Sequence, residues 1–236
     1  MQYLGGKGKI AKKLINLMST EREEGMTWVE PFMGSAKVIS KVKGRRIGND
    51  INHEIITLFK RINEGYEPPR QLTEEQYNHI KANQDLYPDE LKGFVSFGCS
   101  FGGKRWDSYA KNKRGDNYCY DSYLSLMRMK PSMDKVELFS GDYKDLTIPE
   151  NSLIYCDPPY KNTTGYGYHF NHEEFYVWCK DKVKEGHKVF VSEYEAPFEL
   201  AWSKQVNVTL NKNQVIKKVE KLYRVHKEQP FKLRGY

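Results

Sequence analysis

The chain has no long apolar run. None approaches the ~18 consecutive apolar residues that a membrane-spanning helix requires, and hydrophobic residues fill only 39% of its 236 positions. Cysteine is scarce. Cys99, Cys119, Cys156 and Cys179 stand far apart with no C-x-x-C pair, which argues against both a zinc site and a disulfide framework. Reduced thiols of a cytosolic protein are expected instead. Residues Met1–Ile10 lack the apolar core and small-residue cleavage site of a signal peptide, so no export is expected. Internal repeats and low-complexity tracts are missing. Metal-ligand spacing is missing too, since His53-Glu54 and His172-Glu173-Glu174 read as helix starts or surface residues.

What is present points to a folded, basic domain. The 17 Tyr, 11 Phe and 4 Trp are far more aromatic content than disordered chains carry. Lys and Arg outnumber Asp and Glu by 38 to 31, a formal charge of +7, and the pI near 9.0 permits a polyanionic partner. The length suits one globular domain, or one domain with a sizeable insertion.

Strand-like and helix-like segments alternate at both ends of the chain. Ile10, Leu14, Leu17 and Met18 follow helical spacing, Thr27–Glu30 reads as a buried strand, and a loop leads to a predicted helix near 35–42. Arg46–Asn49 is a second strand ending at Asp50, followed by a helix presenting Ile55, Phe59 and Ile62. Two strand–loop–helix units in ~60 residues predict a parallel α/β sheet. Between 65 and 134 the rhythm changes to helical stretches at Thr73–Asn83 and Asp89–Phe101, then a polar, aromatic loop. Strands return at Val136–Ser140, Leu153–Cys156 and Lys188–Ser192, with a helix at Glu173–Lys184 and a terminal hairpin within Val206–Val225. The expected fold is a doubly wound, Rossmann-like sheet, formed by residues 1–64 and 135–236 and interrupted by a small, mostly helical insert at 65–134.

The most informative residues are Asp157-Pro158-Pro159-Tyr160, directly after a buried strand. Open α/β sheets bind ligands at the carboxyl ends of their strands. An exocyclic amine on a planar base is a poor nucleophile because its lone pair is delocalised into the ring. A carboxylate (Asp157) and a carbonyl whose residue has no competing N–H (Pro158) can hold its two hydrogens, and Tyr160 can stack on an extruded base. Taken alone, the same four residues also suit a strand-ending turn. Pro31-Phe32-Met33-Gly34-Ser35 follows the first strand, where glycine lets the backbone approach a cofactor. Asp50 lies 20 residues after Glu30, where such folds place a carboxylate for ribose hydroxyls, although a helix-capping role also fits. Tyr3-Leu4-Gly5-Gly6-Lys7 is a tight glycine loop carrying an aromatic and a cation.

In this order (YLGGK, VEPFMGS, NDI, an insert, Gly141-Asp142, DPPY and VSEY at Val191–Tyr194) the fragments resemble the Dam-like, D12 class of adenine-specific DNA methyltransferases. The resemblance spans nearly the whole chain. It implies direct transfer from S-adenosylmethionine to adenine N6, without a covalent intermediate or a metal. It implies cofactor contacts from Tyr3, Lys7, Asp50 and Asp157, a methionine-side motif of Glu30, Phe32 and Gly34, and a catalytic pocket of Asp157, Pro158 and Tyr160. Ala36 stands where many relatives carry a further glycine, and the insert shows no clear counterpart of the hairpin that reads GATC. An RNA or cytosine-amine methyltransferase with the same pocket is the nearest alternative. A non-catalytic DNA-binding module on this fold is a second.

Double-stranded DNA is the expected partner, in a bacterial or phage-infected cytoplasm, and no membrane partner is expected. Residues 101–135 carry eight Lys/Arg against four Asp, interleaved with Trp106, Tyr109, Tyr118 and Tyr120. Cations neutralise phosphates, and aromatics stack on or wedge between bases. Lys104, Arg105, Lys111, Lys113 and Arg114 are the candidate DNA contacts. Residues 211–234 are as basic but read equally as an exposed sheet edge. The Gly- and Tyr-rich stretch 161–169 is a candidate loop over a flipped base.

Overall fold

The computed structural model describes residues 1–161, 170–211 and 214–227. Seven strands form one sheet in the order β3-β2-β1-β4-β5-β7-β6. β1 (Thr27–Glu30), β2 (Arg46–Asp50), β3 (Val136–Ser140), β4 (Ser152–Cys156) and β5 (Lys188–Ser192) are parallel. β7 (Gln214–Val225) runs antiparallel to β5 and carries β6 (Glu199–Asn211) at the edge. Strand order reverses between β1 and β4, so a topological switch point lies at their carboxyl ends. The predicted Rossmann-like, doubly wound sheet is observed.

Successive strand residues point to opposite faces, and two hydrophobic clusters follow this alternation. Trp28, Leu153, Tyr155, Phe190 and Leu222 face one cluster, with α1 (Ala11–Met18), α2 (His53–Asn63), α4 (Asp89–Gly98) and α5 (Tyr118–Met133) packed on it. Val29, Ile154, Cys156, Val189 and Val191 face the other, covered by Phe175, Cys179 and Val183 of α6 (His172–Lys184). Residues 65–134 have no separate core. Tyr77 of α3 (Glu74–Ala82), Phe94, Phe97, Tyr123 and Leu126 are buried in the same cluster as Leu14 and Ile55.

Three local expectations need correction. The segment after β1 is a chain of turns with only a 3-10 turn at Ile39–Lys41, because Gly34 and Ala36 take φ of +48° and +56°, which no α-helix admits. Conversely, about half of the polar, aromatic stretch before residue 135 is α5. Its start is fixed by Asn117, whose side chain caps Tyr120 N–H. Pro131 lies within its last turns, and its alternation of Tyr, Ser and Met hides the helical stripe. The terminal hairpin begins at Glu199 rather than near Val206; elsewhere the boundaries fall within a few residues of those expected, and Thr73 and Gln76 close a capping box on α3.

Candidate active site

The site begins with strand parity. Glu30 lies two residues beyond Trp28 and Asp157 two beyond Tyr155, so both carboxylates project on the face of the larger cluster, at adjacent strand ends. The loop before α1 lies over that face. One cavity of about 740 Å³ brings together Tyr3, Lys7, Glu30, Phe32, Gly34, Asp50, Asp157, Pro158 and Tyr160. All the residues expected at the cofactor and catalytic positions line it.

Each is held by identifiable partners. Trp28 Nε1 donates to Glu30 Oε1 at 2.8 Å. Burial pushes the Glu30 carboxyl up to about 8, against the pull of that hydrogen bond. Asp50 Oδ2 accepts the Gly34 N–H at 2.8 Å and Oδ1 accepts the Asn52 N–H at 2.9 Å, so this carboxylate ties β2 to the turn after β1. The cap of α2 is Asn52 rather than Asp50. Each Asp50 oxygen keeps a second lone pair for a hydroxyl. Gly34 is required by its positive φ, and a Cβ there would meet the Tyr3 ring at 3.0 Å. Tyr3 itself stacks on Phe97 at 4.6 Å, joining the N-terminal loop to α4. Phe32 sits edge-on to Phe170 and Phe175.

The Asp157–Tyr160 turn carries the densest electrostatics. Lys7 Nζ stands 3.1 Å from Asp157 Oδ1, 3.4 Å from Glu220 Oε2 and 4.6 Å from the Tyr160 ring centroid. Burial opposes the Lys7 charge, but Asp157 and Glu220 outweigh it and its pKa is raised. Burial also raises Asp157, with Lys7 pulling it back. Asp157 Oδ1 is buried, and the Lys7 ammonium covers it at 3.1 Å. The Pro159 carbonyl accepts from His172 Nε2 at 3.0 Å, whereas the Pro158 carbonyl has no hydrogen bond among the described residues. A carboxylate oxygen and a carbonyl thus stand as acceptors beside one aromatic ring.

Two further carboxylates stand beside this turn that were not named as site residues. Glu193, at the end of β5, accepts the Tyr194 N–H at 2.8 Å and the Lys161 N–H at 3.4 Å, and burial lifts its carboxyl to about 7. It lies within the VSEY fragment, which was the available signal. Glu220 comes from β7 and accepts the Tyr160 hydroxyl at 3.3 Å. It sits in an alternating Lys/Glu strand and carried no signal.

The candidate DNA contacts lie at the rim or outside it. Arg105 also lines the cavity and donates to the buried Glu54 at 2.9 Å. Lys104 pairs with Asp107 at 3.4 Å and Lys111 with Glu74 at 2.6 Å. Lys113 and Arg114 are exposed and have no acidic partner among the described residues. The candidate loop 161–169 lies outside the described residues beyond Lys161, as does much of the basic tail. Among the described residues no cluster could hold a metal ion, and no helix is long and apolar enough to cross a membrane.

The mostly parallel sheet thus carries the Asp157-Pro158-Pro159-Tyr160 turn at its switch point. The model of the D12 class N6 adenine-specific DNA methyltransferases matches residues 3–125, about half of the chain, and the protein belongs to that family. The matched part runs from the N-terminal loop into α5 and ends before Asp157. A curated relative, modification methylase StsI of Streptococcus sanguinis, is 24% identical over 197 residues, 70% of this chain and 29% of its own length. The chain therefore spans under a third of that relative. Among solved structures, one labelled the methyltransferase YhhF of Escherichia coli is similar at 10% identity and TM-score 0.36, covering 97% of this chain and 99% of its own. Another, labelled a precorrin-6Y C5,15-methyltransferase domain of Corynebacterium diphtheriae, is similar at 10% identity and TM-score 0.38, covering 94% and 98%.

Proposed function

We propose that the protein transfers a methyl group from S-adenosylmethionine to the N6 amino nitrogen of an adenine flipped out of double-stranded DNA. The observation that carries this reading is a pair of acceptors beside Tyr160: the Pro158 carbonyl, without a hydrogen bond among the described residues, and Asp157 Oδ1, covered in the free protein by the Lys7 ammonium at 3.1 Å. An exocyclic amine supplies two N–H donors and a flat ring, the complement of that arrangement.

The cavity residues fit the cofactor. Glu30 suits its ammonium group and Asp50 its ribose hydroxyls, while the left-handed backbone at Gly34 leaves space that a side chain would fill with the Tyr3 contact. When bound, S-adenosylmethionine supplies an electrophilic methyl on a sulfonium. The protein's own contribution is to orient and to polarise. Asp157 and Pro158 accept the two amine hydrogens and draw the nitrogen toward a tetrahedral shape, and Tyr160 holds the base face. Orientation of this kind supplies much of the rate gain in bimolecular transfers. The four cysteines are buried, which suits a path without a thiol nucleophile.

Residues 65–134 serve in this reading as the target-recognition insert on a catalytic part made of 1–64 and 135–236. Lys113 and Arg114 would meet phosphates, with Lys104, Arg105 and Lys111 at the margin. The likeness to a modification methylase supports a place beside a restriction nuclease in a bacterium or its phage. The test is Asp157→Ala: transfer of tritiated methyl to DNA should fall by at least ~1000-fold, the scale of losing a group that acts only in the transition state. DNA retention on a filter should change little. Full transfer by the variant would refute the pocket.

A further inference from the structure

Asp157 must accept a hydrogen bond from the incoming amine, yet Lys7 already covers its Oδ1. A lysine fixed there would compete with the substrate, since charge-assisted contacts outlast neutral ones. The structure supplies the way out. Glu220 Oε2 lies 3.4 Å from the same ammonium, only a few tenths of an ångström beyond the 3.1 Å to Asp157. The side chains of Lys7 and Glu220 are 6% and 16% exposed, so their charges are shielded from solvent screening.

Glu220 reaches this place by topology. β7 runs antiparallel to β5, and Leu222 pairs with Ser192, the last residue of β5. Residues before Leu222 therefore overhang the carboxyl ends of the parallel strands. Glu220, two residues earlier, shares the face of Leu222, which belongs to the larger cluster. It also accepts the Tyr160 hydroxyl at 3.3 Å, while the Tyr160 ring rests edge-on against Tyr194 at 4.6 Å.

We propose that Glu220 is a positioning residue: it receives the Lys7 ammonium when a base amine takes Asp157, and it fixes the Tyr160 ring by its hydroxyl. This rests on the reading of Asp157 as the amine acceptor. In the free protein Lys7 shields Asp157 and is shared between two carboxylates. On base entry the ammonium shifts to Glu220 and uncovers Oδ1, and no net charge enters or leaves the pocket. No bond is made or broken in this step.

The test compares Glu220→Gln with Glu220→Asp in single-turnover transfer of tritiated methyl to unmethylated plasmid DNA. Gln still accepts from Tyr160 but offers the Lys7 ammonium no charge, whereas Asp keeps it. Gln should slow transfer by roughly tenfold or more, about 1.4 kcal/mol in the barrier, with DNA retention and melting temperature near those of the wild type. Asp should recover most of the rate. Equal losses in both variants, or wild-type transfer by Gln, would overturn the proposal. Should either variant melt early, a structure of the wild-type protein with DNA and the demethylated cofactor decides. The proposal expects Lys7 Nζ nearer Glu220 than Asp157 there, and the reverse order refutes it. A wild-type protein that labels no adenine would instead refute the reading of Asp157, and this proposal with it.

Discussion

Trp28 and Glu30 are two residues apart on one strand, and the indole N–H of the first is spent on the carboxylate of the second, 2.8 Å away in a fully buried setting. In the proposed function this contact orients Glu30 toward the ammonium of the cofactor. Removing the donor leaves a buried carboxyl with one partner fewer, a loss of ~1–3 kcal/mol. Trp28→Phe should therefore weaken binding of S-adenosylhomocysteine by at least about fivefold in calorimetry, beyond any drop in melting temperature. Unchanged affinity would detach Glu30 from the cofactor.

The pH dependence of that binding has a definite sign. Glu30 is raised to about 8 in the free protein, so it is largely protonated at pH 6 and 7. An ammonium partner favours the ionised form, so binding must release a proton below pH 8. Affinity for S-adenosylhomocysteine should rise from pH 6 through about 8 and then level. Calorimetry in buffers of different ionisation enthalpy at pH 7 should show proton release. Proton uptake would contradict the assignment.

Folding stability should move the other way. Glu30 near 8 and Glu193 near 7 both bind protons more tightly folded than unfolded. Between about 4.5 and 8 the native state holds more protons, so these two groups make stability fall as pH rises through that window. Glu193→Gln should flatten the fall between pH 5 and 7 in urea titrations. A slope identical to the wild type would show that Glu193 does not carry it.

Gly34 and Ala36 make a contrasting pair. At Gly34 an added methyl adopts a strained φ and presses on the Tyr3 ring at 3.0 Å. Gly34→Ala should cost ~1 kcal/mol or more in stability and weaken cofactor binding as Tyr3 shifts. Ala36 already takes φ +56°, which explains why a glycine suits this position. Ala36→Gly relieves that strain but frees the unfolded chain, and its melting temperature should change little. A Gly34→Ala protein with native affinity would show that the turn does not shape the site.

The basic insert divides by partner. Lys113→Ala with Arg114→Ala should reduce the slope of log affinity against log salt by about 2, one per phosphate contact. Lys104→Ala and Lys111→Ala should reduce it less, because each is already paired with an acid. Arg105→Ala should act chiefly on stability, by ~1–3 kcal/mol, since the buried Glu54 loses its 2.9 Å partner but keeps Lys92 at 4.0 Å. Equal slopes in all four lysine and arginine positions outside Arg105 would erase the distinction.

Much of this was legible beforehand, and each miss has its own physical cause. Strands β1 to β5 announced themselves because buried parallel strands are short apolar runs flanked by turns. Glu30, Asp50 and Asp157 were legible because a strand end fixes where its next side chain lies. Glu220 was not, because its place depends on how far β7 overhangs β5, a register set by tertiary pairing. The turns at 34–36 escaped because Ala36 occupies a left-handed conformation that its identity does not advertise. The helix α5 escaped because its polar face is aromatic and Pro131 falls inside it.

The central claim is that the Asp157–Tyr160 pocket methylates the N6 nitrogen of adenine in DNA. Purified protein incubated with deuterium-labelled S-adenosylmethionine and methylation-free DNA, then digested to nucleosides for mass spectrometry, tests it directly. The expected product is labelled N6-methyldeoxyadenosine, lost in Asp157→Ala. Label on cytosine, or label only when RNA replaces the DNA, would contradict the account.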